Sequence, residues 1–146
     1  MLTYKTYVLA RLADFADARA ALVTIPERVE ALRAKRETLK LRATDSQPVS
    51  GGGSRTEDAW VTSLLEEDYL KARLKEAEKV VKQTQLLLNE LDREEKLVVE
   101  RTCMRRRKGD VEELCEELGY ERSAVYALRD RTLRKLARLM TGEARA

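Results

Sequence analysis

Apolar residues recur every three or four positions along most of this 146-residue chain, and this spacing limits the possible folds more than any other feature. One stripe of this kind runs through Val8, Leu12 and Phe15. Such spacing places the apolar side chains on one face of an α-helix, whereas a half-buried strand needs strict alternation. Charged residues form 38% of the chain and aromatic residues only 5%, a mixture typical of long helices. The sequence therefore predicts an all-α fold.

Residues 1–41 contain two such stripes, separated by the segment VTIPE. The second stripe includes Ile25, Val29 and Leu32. Proline is tolerated in the first turn of a helix, where its missing N–H would have no intrahelical partner, so Pro26 indicates a new helix start. We therefore predict an N-terminal helical hairpin over residues 1–41.

Residues 42–55 are rich in Ser and Gly with one Pro, which predicts a flexible linker. The three glycines in it lack the spacing of a phosphate-binding loop and do not follow a strand. A long amphipathic helix is expected over residues 56–90. Its heptad-like seam consists of Leu74, Ala77, Val81, Thr84, Leu88 and Leu91. This seam either packs on the N-terminal hairpin or forms a homodimer through the 70–91 helix.

Residues 91–146 predict a three-helix domain that contains a helix-turn-helix. The middle helix would begin with Asp110 as its N-cap and end at Gly119 in the left-handed conformation. A longer basic helix begins near Arg122. The inward positions of the last two helices would be Val111, Leu114, Cys115, Leu118, Val125, Leu128, Leu133, Leu136 and Met140.

Basic residues are concentrated in this C-terminal domain. The whole chain carries a net charge of +3, but the segment from Arg101 to Arg138 alone holds eleven Lys and Arg against seven Asp and Glu. Recognition helices read DNA bases with their N-terminal residues, and more peripheral cations contact phosphates. The candidate base-reading residues are Arg122, Ser123, Tyr126 and Ala127. The candidate phosphate-binding residues are Arg105, Arg106, Arg107, Lys108, Arg129, Arg131, Arg134 and Lys135. The alternative interpretation is an ordinary solvated helix face.

Catalysis and metal binding are not indicated by the composition. The chain contains no histidine, and Cys103 and Cys115 lack the spacing of a metal or redox motif. No apolar run approaches the roughly 18 residues that a membrane span needs. We therefore expect a cytoplasmic protein with reduced thiols, and neither an enzyme nor a cofactor-binding protein.

Two segments carry a resemblance to known regulators. VYALRDRTLRKL (125–136) and the upstream LDREEKLVVERTCM resemble the region 4 helix-turn-helix of bacterial sigma factors. More loosely, most of the chain looks like phage-encoded transcriptional regulators of the ArpU/RinA late-activator type. The resemblance implies promoter reading by the four candidate base-reading residues. Glu121 departs from the usual Ser or Thr cap, and nothing here resembles the other sigma regions.

The sequence thus suggests a sequence-specific double-stranded DNA-binding regulator of the transcription of phage late genes, located in the host cytoplasm if the chain is phage-encoded. RNA polymerase is a further candidate partner. Two alternatives remain open: a small terminase-like DNA-packaging protein, and a protein-binding adaptor of RNA polymerase or sigma.

Overall fold

The computed structural model describes residues 3–45 and 52–142, with side chains described for 3–42 and 55–142. Within these ranges the chain is helical and contains no β-strand, which confirms the all-α fold class. The α-helices are α1 (Tyr4–Asp45), α2 (Gly52–Leu88), α3 (Arg93–Val99), α4 (Asp110–Leu118) and α5 (Arg122–Thr141). A π-helical turn over Glu100–Met104 continues α3. None of the described helices combines the length and apolar character of a membrane span.

Helix α1 is one continuous helix of 42 residues with Pro26 inside it, so the predicted hairpin over 1–41 is wrong. The two apolar stripes are in phase: a step of three links Leu22 to Ile25, and the buried side chains continue through Val29 and Leu32. An interior proline loses one backbone hydrogen bond and costs about 3 kcal/mol. Burial of the continuous stripe outweighs that cost.

The predicted linker over 42–55 is also too long, because both helices extend into it. Helix α1 continues to Asp45 and α2 begins at Gly52, before the cap expected at Thr56. Glycine in a helix costs only about 1 kcal/mol relative to alanine, and the first amides of a helix need no intrahelical partner. Residues 46–51 of the predicted linker lie outside the described residues.

The chain divides into two compact units. We name one the hairpin unit, because α1 pairs with α2 in it, and it contains residues 18–45 and 52–79. The other, the core unit, contains residues 3–17 and 80–142. The core unit is therefore larger than the domain predicted over 91–146, because the beginning of α1 and the end of α2 belong to it.

The hairpin unit joins two antiparallel helical segments through a mixture of apolar and charged contacts. Apolar residues Ile25, Val29 and Leu32 are buried on α1. A buried carboxylate, Glu67 of α2, accepts hydrogen bonds from Arg36 at 2.5 Å and from Arg33 at 3.1 Å. Lys71 adds a salt bridge to the same carboxylate at 3.0 Å. These cations lower the pKa of Glu67 to about 2, with the Arg36 hydrogen bond as the largest cause.

The core unit buries one apolar cluster built from all of its helices. Its fully buried members include Phe15 from α1 and Leu114 from α4. The complete set is Val8, Leu12, Phe15, Leu88, Leu91, Val98, Val99, Leu114, Val125, Leu128, Leu133 and Leu136.

The predicted seam of the 70–91 helix is largely occupied within the chain itself. Thr84 is 1% exposed, and Leu88 and Leu91 belong to the apolar cluster of the core unit. A homodimer through these side chains would need them to leave their buried positions within the chain.

Candidate nucleic-acid interface

The loop before α4 is fixed by a short-range contact. Gly109 precedes α4 with a φ of 87°, and Asp110 is the first helical residue, so Asp110 is not the N-cap that the sequence predicted. Its side chain instead accepts a hydrogen bond from the backbone N–H of Arg107. Asp110 is buried, and this contact holds the basic loop of residues 105–108 against the first turn of α4.

The corner between α4 and α5 follows the sequence prediction. Gly119 ends α4 in the left-handed conformation, with φ 69° and ψ 29°. The N–H of Tyr120 donates to the carbonyl of Cys115 at 3.2 Å, the longer bond of a Schellman motif. Glu121 precedes α5 in an extended conformation, and its side chain does not cap the helix. The chain therefore turns sharply at Gly119 and leaves the start of α5 without a side-chain cap.

Helix α5 packs through the residues that the sequence assigned to its inner face. Val125, Leu128, Leu133 and Leu136 are buried, and Met140 is partly buried against the same cluster. The remaining faces of α5 are available for polar contacts.

All four predicted base-reading residues are exposed in the first turns of α5. The guanidinium carbon of Arg122 lies 5.8 Å from the ring centroid of Tyr126, a cation–π distance. Arg122 also forms a salt bridge with Glu112 of α4 at 3.4 Å. The neighbouring Ser123 and Ala127 are exposed on the same helix.

A groove of about 450 Å³ joins the basic loop to the beginning of α5. We name it the cationic groove, and its cations are Arg106, Arg107, Lys108, Arg122 and Arg129. Tyr126 also lines it, as do two carboxylates, Asp110 and Glu112. Both carboxylates already have partners, since Asp110 binds the amide of Arg107 and Glu112 pairs with Arg122. Five cations against two carboxylates leave the groove with a surplus of positive charge.

The remaining predicted phosphate-binding residues lie elsewhere. A second groove, of about 620 Å³, contains Arg131, Arg134 and Lys135 together with Arg138. Acidic residues of the loop and start of α3 also line it, so we name it the mixed-charge groove. Arg105 lines neither the cationic groove nor the mixed-charge groove. It forms a long salt bridge with Glu100, at 3.7 Å.

Two cations of the mixed-charge groove are held by the protein itself. Arg134 donates to the hydroxyl of Tyr4 at 3.1 Å and stacks on the same ring. Lys135 forms a salt bridge with Glu95 at 3.0 Å. Lys5 of α1 pairs with Asp130 of α5 at 2.9 Å and lowers the pKa of that carboxyl group. The predicted phosphate-binding set is thus divided between two grooves with different electrostatic character.

Sequence reasoning missed the residue that pairs with the acidic face of α4. Arg101, in the π-helical turn, binds Glu117 at 2.9 Å and Glu113 at 3.4 Å. The hydrogen bond with Glu117 is the main cause that raises the pKa of Arg101. No local sequence pattern predicts this contact, because twelve or more residues separate Arg101 from its partners. Its effect is to offset negative charge beside the cationic groove.

In the part of the chain that the structure describes, no cluster of three or more His, Cys, Asp or Glu side chains is arranged to hold a metal ion. Cys103 and Cys115 are both free thiols. No family model, curated protein or solved structure matches this chain.

Proposed function

We propose that this protein is a sequence-specific double-stranded DNA-binding regulator of transcription, with α4, the Gly119 corner and α5 acting as a helix-turn-helix. The observation that carries the proposal is the cationic groove. It joins the basic loop of residues 105–108 to the start of α5, two segments that lie on either side of α4 in the sequence. The resemblance of residues 125–136 to sigma region 4 supports the same assignment.

Electrostatics favour a polyanion at this groove. Arg106, Lys108 and Arg129 have no hydrogen-bond or salt-bridge partner among the described residues, so each can meet a phosphate without breaking an internal contact. Phosphate neutralisation releases counterions from DNA and supplies most of the sequence-independent affinity. Asp110 and Glu112 reduce this attraction, but the five cations of the groove outnumber them.

Base recognition is assigned to the first turns of α5. The Arg122–Glu112 salt bridge joins side chains that are 66% and 62% exposed, and exposed pairs of this kind contribute only about 0–1 kcal/mol. Arg122 can therefore exchange Glu112 for the O6 and N7 atoms of a guanine. Ser123 can hydrogen-bond to a base edge, and the methyl group of Ala127 suits the methyl group of thymine. The uncapped start of α5 adds the positive end of a helix dipole.

The proposed set of phosphate-binding residues is smaller than the set that the sequence suggested. Arg106, Arg107, Lys108 and Arg129 remain as candidates, because they line the cationic groove. Arg134 and Lys135 are assigned instead to contacts within the core unit.

Selection of bound duplexes from a random pool, with the full chain at low salt, tests the proposal. We expect a defined consensus for the wild-type protein. Arg122→Ala should change the preferred base at one or two positions, since a bidentate arginine contributes about 1–3 kcal/mol of discrimination. Arg138→Ala is the matched control, because it removes the same charge from the mixed-charge groove of the same helix.

Two results would contradict the proposal. Failure of the wild-type chain to retain any duplex would favour a protein-binding adaptor. An identical consensus for wild type and Arg122→Ala would show that α5 does not read bases in the way described.

A further inference from the structure

Four large apolar side chains of the hairpin unit are exposed on one side of α2. Val61, Leu64, Leu65 and Tyr69 have relative exposures of 53%, 41%, 65% and 62%. Their spacings of three, four and eight residues place them in a single stripe along the helix. We name this surface the apolar stripe.

The opposite side of the same helical segment is more polar than the stripe. Its buried residues are the small or charged Ser63, Glu67 and Ala77, and the larger apolar residues on that side, Trp60, Leu70 and Leu74, are half-buried. An amphipathic helix normally turns its larger apolar residues towards the core. Here the four residues of the apolar stripe point away from it, and exposed apolar surface of this kind marks a site of interaction.

The charges that flank the stripe have opposite signs at its two ends. Glu57 and Asp58 precede Val61 and outnumber the single cation Arg55, and Arg73 and Lys75 follow Tyr69 and outnumber the single carboxylate Glu76. Asp68 is also exposed, on the face of the stripe itself. Glu57, Asp58, Arg73 and Lys75 are exposed, and none of these four has a salt-bridge partner among the side chains that the structure describes. Lys71, by contrast, is already paired with Glu67.

We propose that the apolar stripe binds the same stripe of a second copy of this chain, with the two α2 helices antiparallel. A two-fold interface pairs one surface with itself, so the surface must be self-complementary. In the antiparallel arrangement the acidic end of one stripe meets the basic end of the other, and both apolar segments are removed from water. A parallel pair would instead bring like charges together at both ends. This interface is distinct from the buried seam of the 70–91 helix.

The first test measures the molar mass of the full chain by sedimentation equilibrium over a range of concentrations. The wild-type protein should form dimers, and Leu65→Glu should raise the dimer dissociation constant roughly tenfold or more, because it places a charge in the centre of the apolar contact. Leu86→Glu is the matched control: Leu86 is 62% exposed on the same helix but lies outside the stripe. It should leave dimerisation unchanged.

The second test reverses charges. Glu57→Lys with Asp58→Lys in one variant, and Arg73→Glu with Lys75→Glu in another, should each weaken self-association, and an equal mixture should restore dimers. Circular dichroism of every variant checks that the helices remain folded.

Three results would overturn the proposal. They are a monomeric wild-type chain at every concentration, equal effects of the Leu65 and Leu86 substitutions, and unchanged dimerisation of both charge-reversed variants. None of these measurements involves DNA, so they can overturn the proposed dimer without bearing on the proposed DNA binding.

Discussion

Glu67 shows how one residue can determine the pairing of two helices. Its carboxylate is 7% exposed and binds cations from both α1 and α2. A buried carboxylate without partners would be strongly destabilising. Any shift in register between α1 and α2 that separates Glu67 from Arg36 is therefore disfavoured. This contact lies in the part of the hairpin unit where α2 contributes few fully buried apolar side chains.

Glu67→Gln should reduce stability in a pH-dependent way. The pKa of Glu67 falls from 4.5 to about 2 in the folded protein. A lowered folded-state pKa gives stability that is present above pH 4.5 and is lost as the pH falls through about 2. The difference in free energy of unfolding between wild type and Glu67→Gln should therefore be large at pH 7 and shrink between these two values. Urea unfolding at several pH values measures it.

Glu66→Gln provides the matched control. Glu66 pairs with Arg28 at 2.7 Å, but the two side chains are 36% and 58% exposed, so solvent screens the pair. A loss of stability in Glu67→Gln that does not depend on pH would contradict the role assigned to Glu67. An equal loss of stability in Glu66→Gln would also contradict it.

At the scale of single elements, α1 shows that the phase of an apolar stripe can override a proline. The step from Leu22 to Ile25 keeps the buried face continuous, and Pro26 itself is exposed. The proline is therefore accommodated at the cost of one backbone hydrogen bond, without a loss of packing.

Pro26→Ala should stabilise the hairpin unit, by about 3 kcal/mol at most, because alanine supplies the missing N–H and removes the clash of the proline ring. Hydrogen exchange of the α1 amides would measure the change. Glu27→Ala, at the exposed neighbouring position, should stay within about 0.5 kcal/mol of the wild type. A loss of stability in Pro26→Ala would indicate that the proline has a structural role that the stripe does not explain.

The sequence predicted local elements better than contacts between them. Gly119 and the inward residues of α5 were assigned correctly, because a glycine stop and a period of 3.6 residues are local signals. The Pro26 break was wrong, because Pro gives the same signal at a helix start and inside a packed helix. The Tyr4–Arg134 contact has no local signature, since its partners are 130 residues apart.

At the scale of the whole molecule, the beginning of α1 is part of the unit that carries the proposed DNA-binding surface. Val8, Leu12 and Phe15 are fully buried in the same apolar cluster as Leu133 and Leu136 of α5. The position of α5 therefore depends on residues from the start of the chain.

Phe15→Ala should destabilise the core unit by about 3–5 kcal/mol, the usual cost of truncating a buried phenylalanine. Hydrogen exchange of the α5 amides should accelerate, even though α5 lies more than 100 residues away in sequence. Val23→Ala, at a side chain that is 62% exposed on the same helix, should have little effect. Unchanged exchange in α5 would show that the two segments fold independently.

The central claim, that duplex DNA binds in the cationic groove, is tested most directly by the salt dependence of binding. A plot of log affinity against log salt concentration should be steep for the wild type. Its slope should become about one unit shallower in Arg129→Ala, because one phosphate contact is lost. Arg138→Ala should keep the wild-type slope, since Arg138 lines the mixed-charge groove. An unchanged slope in Arg129→Ala, together with a shallower slope in Arg138→Ala, would contradict the account.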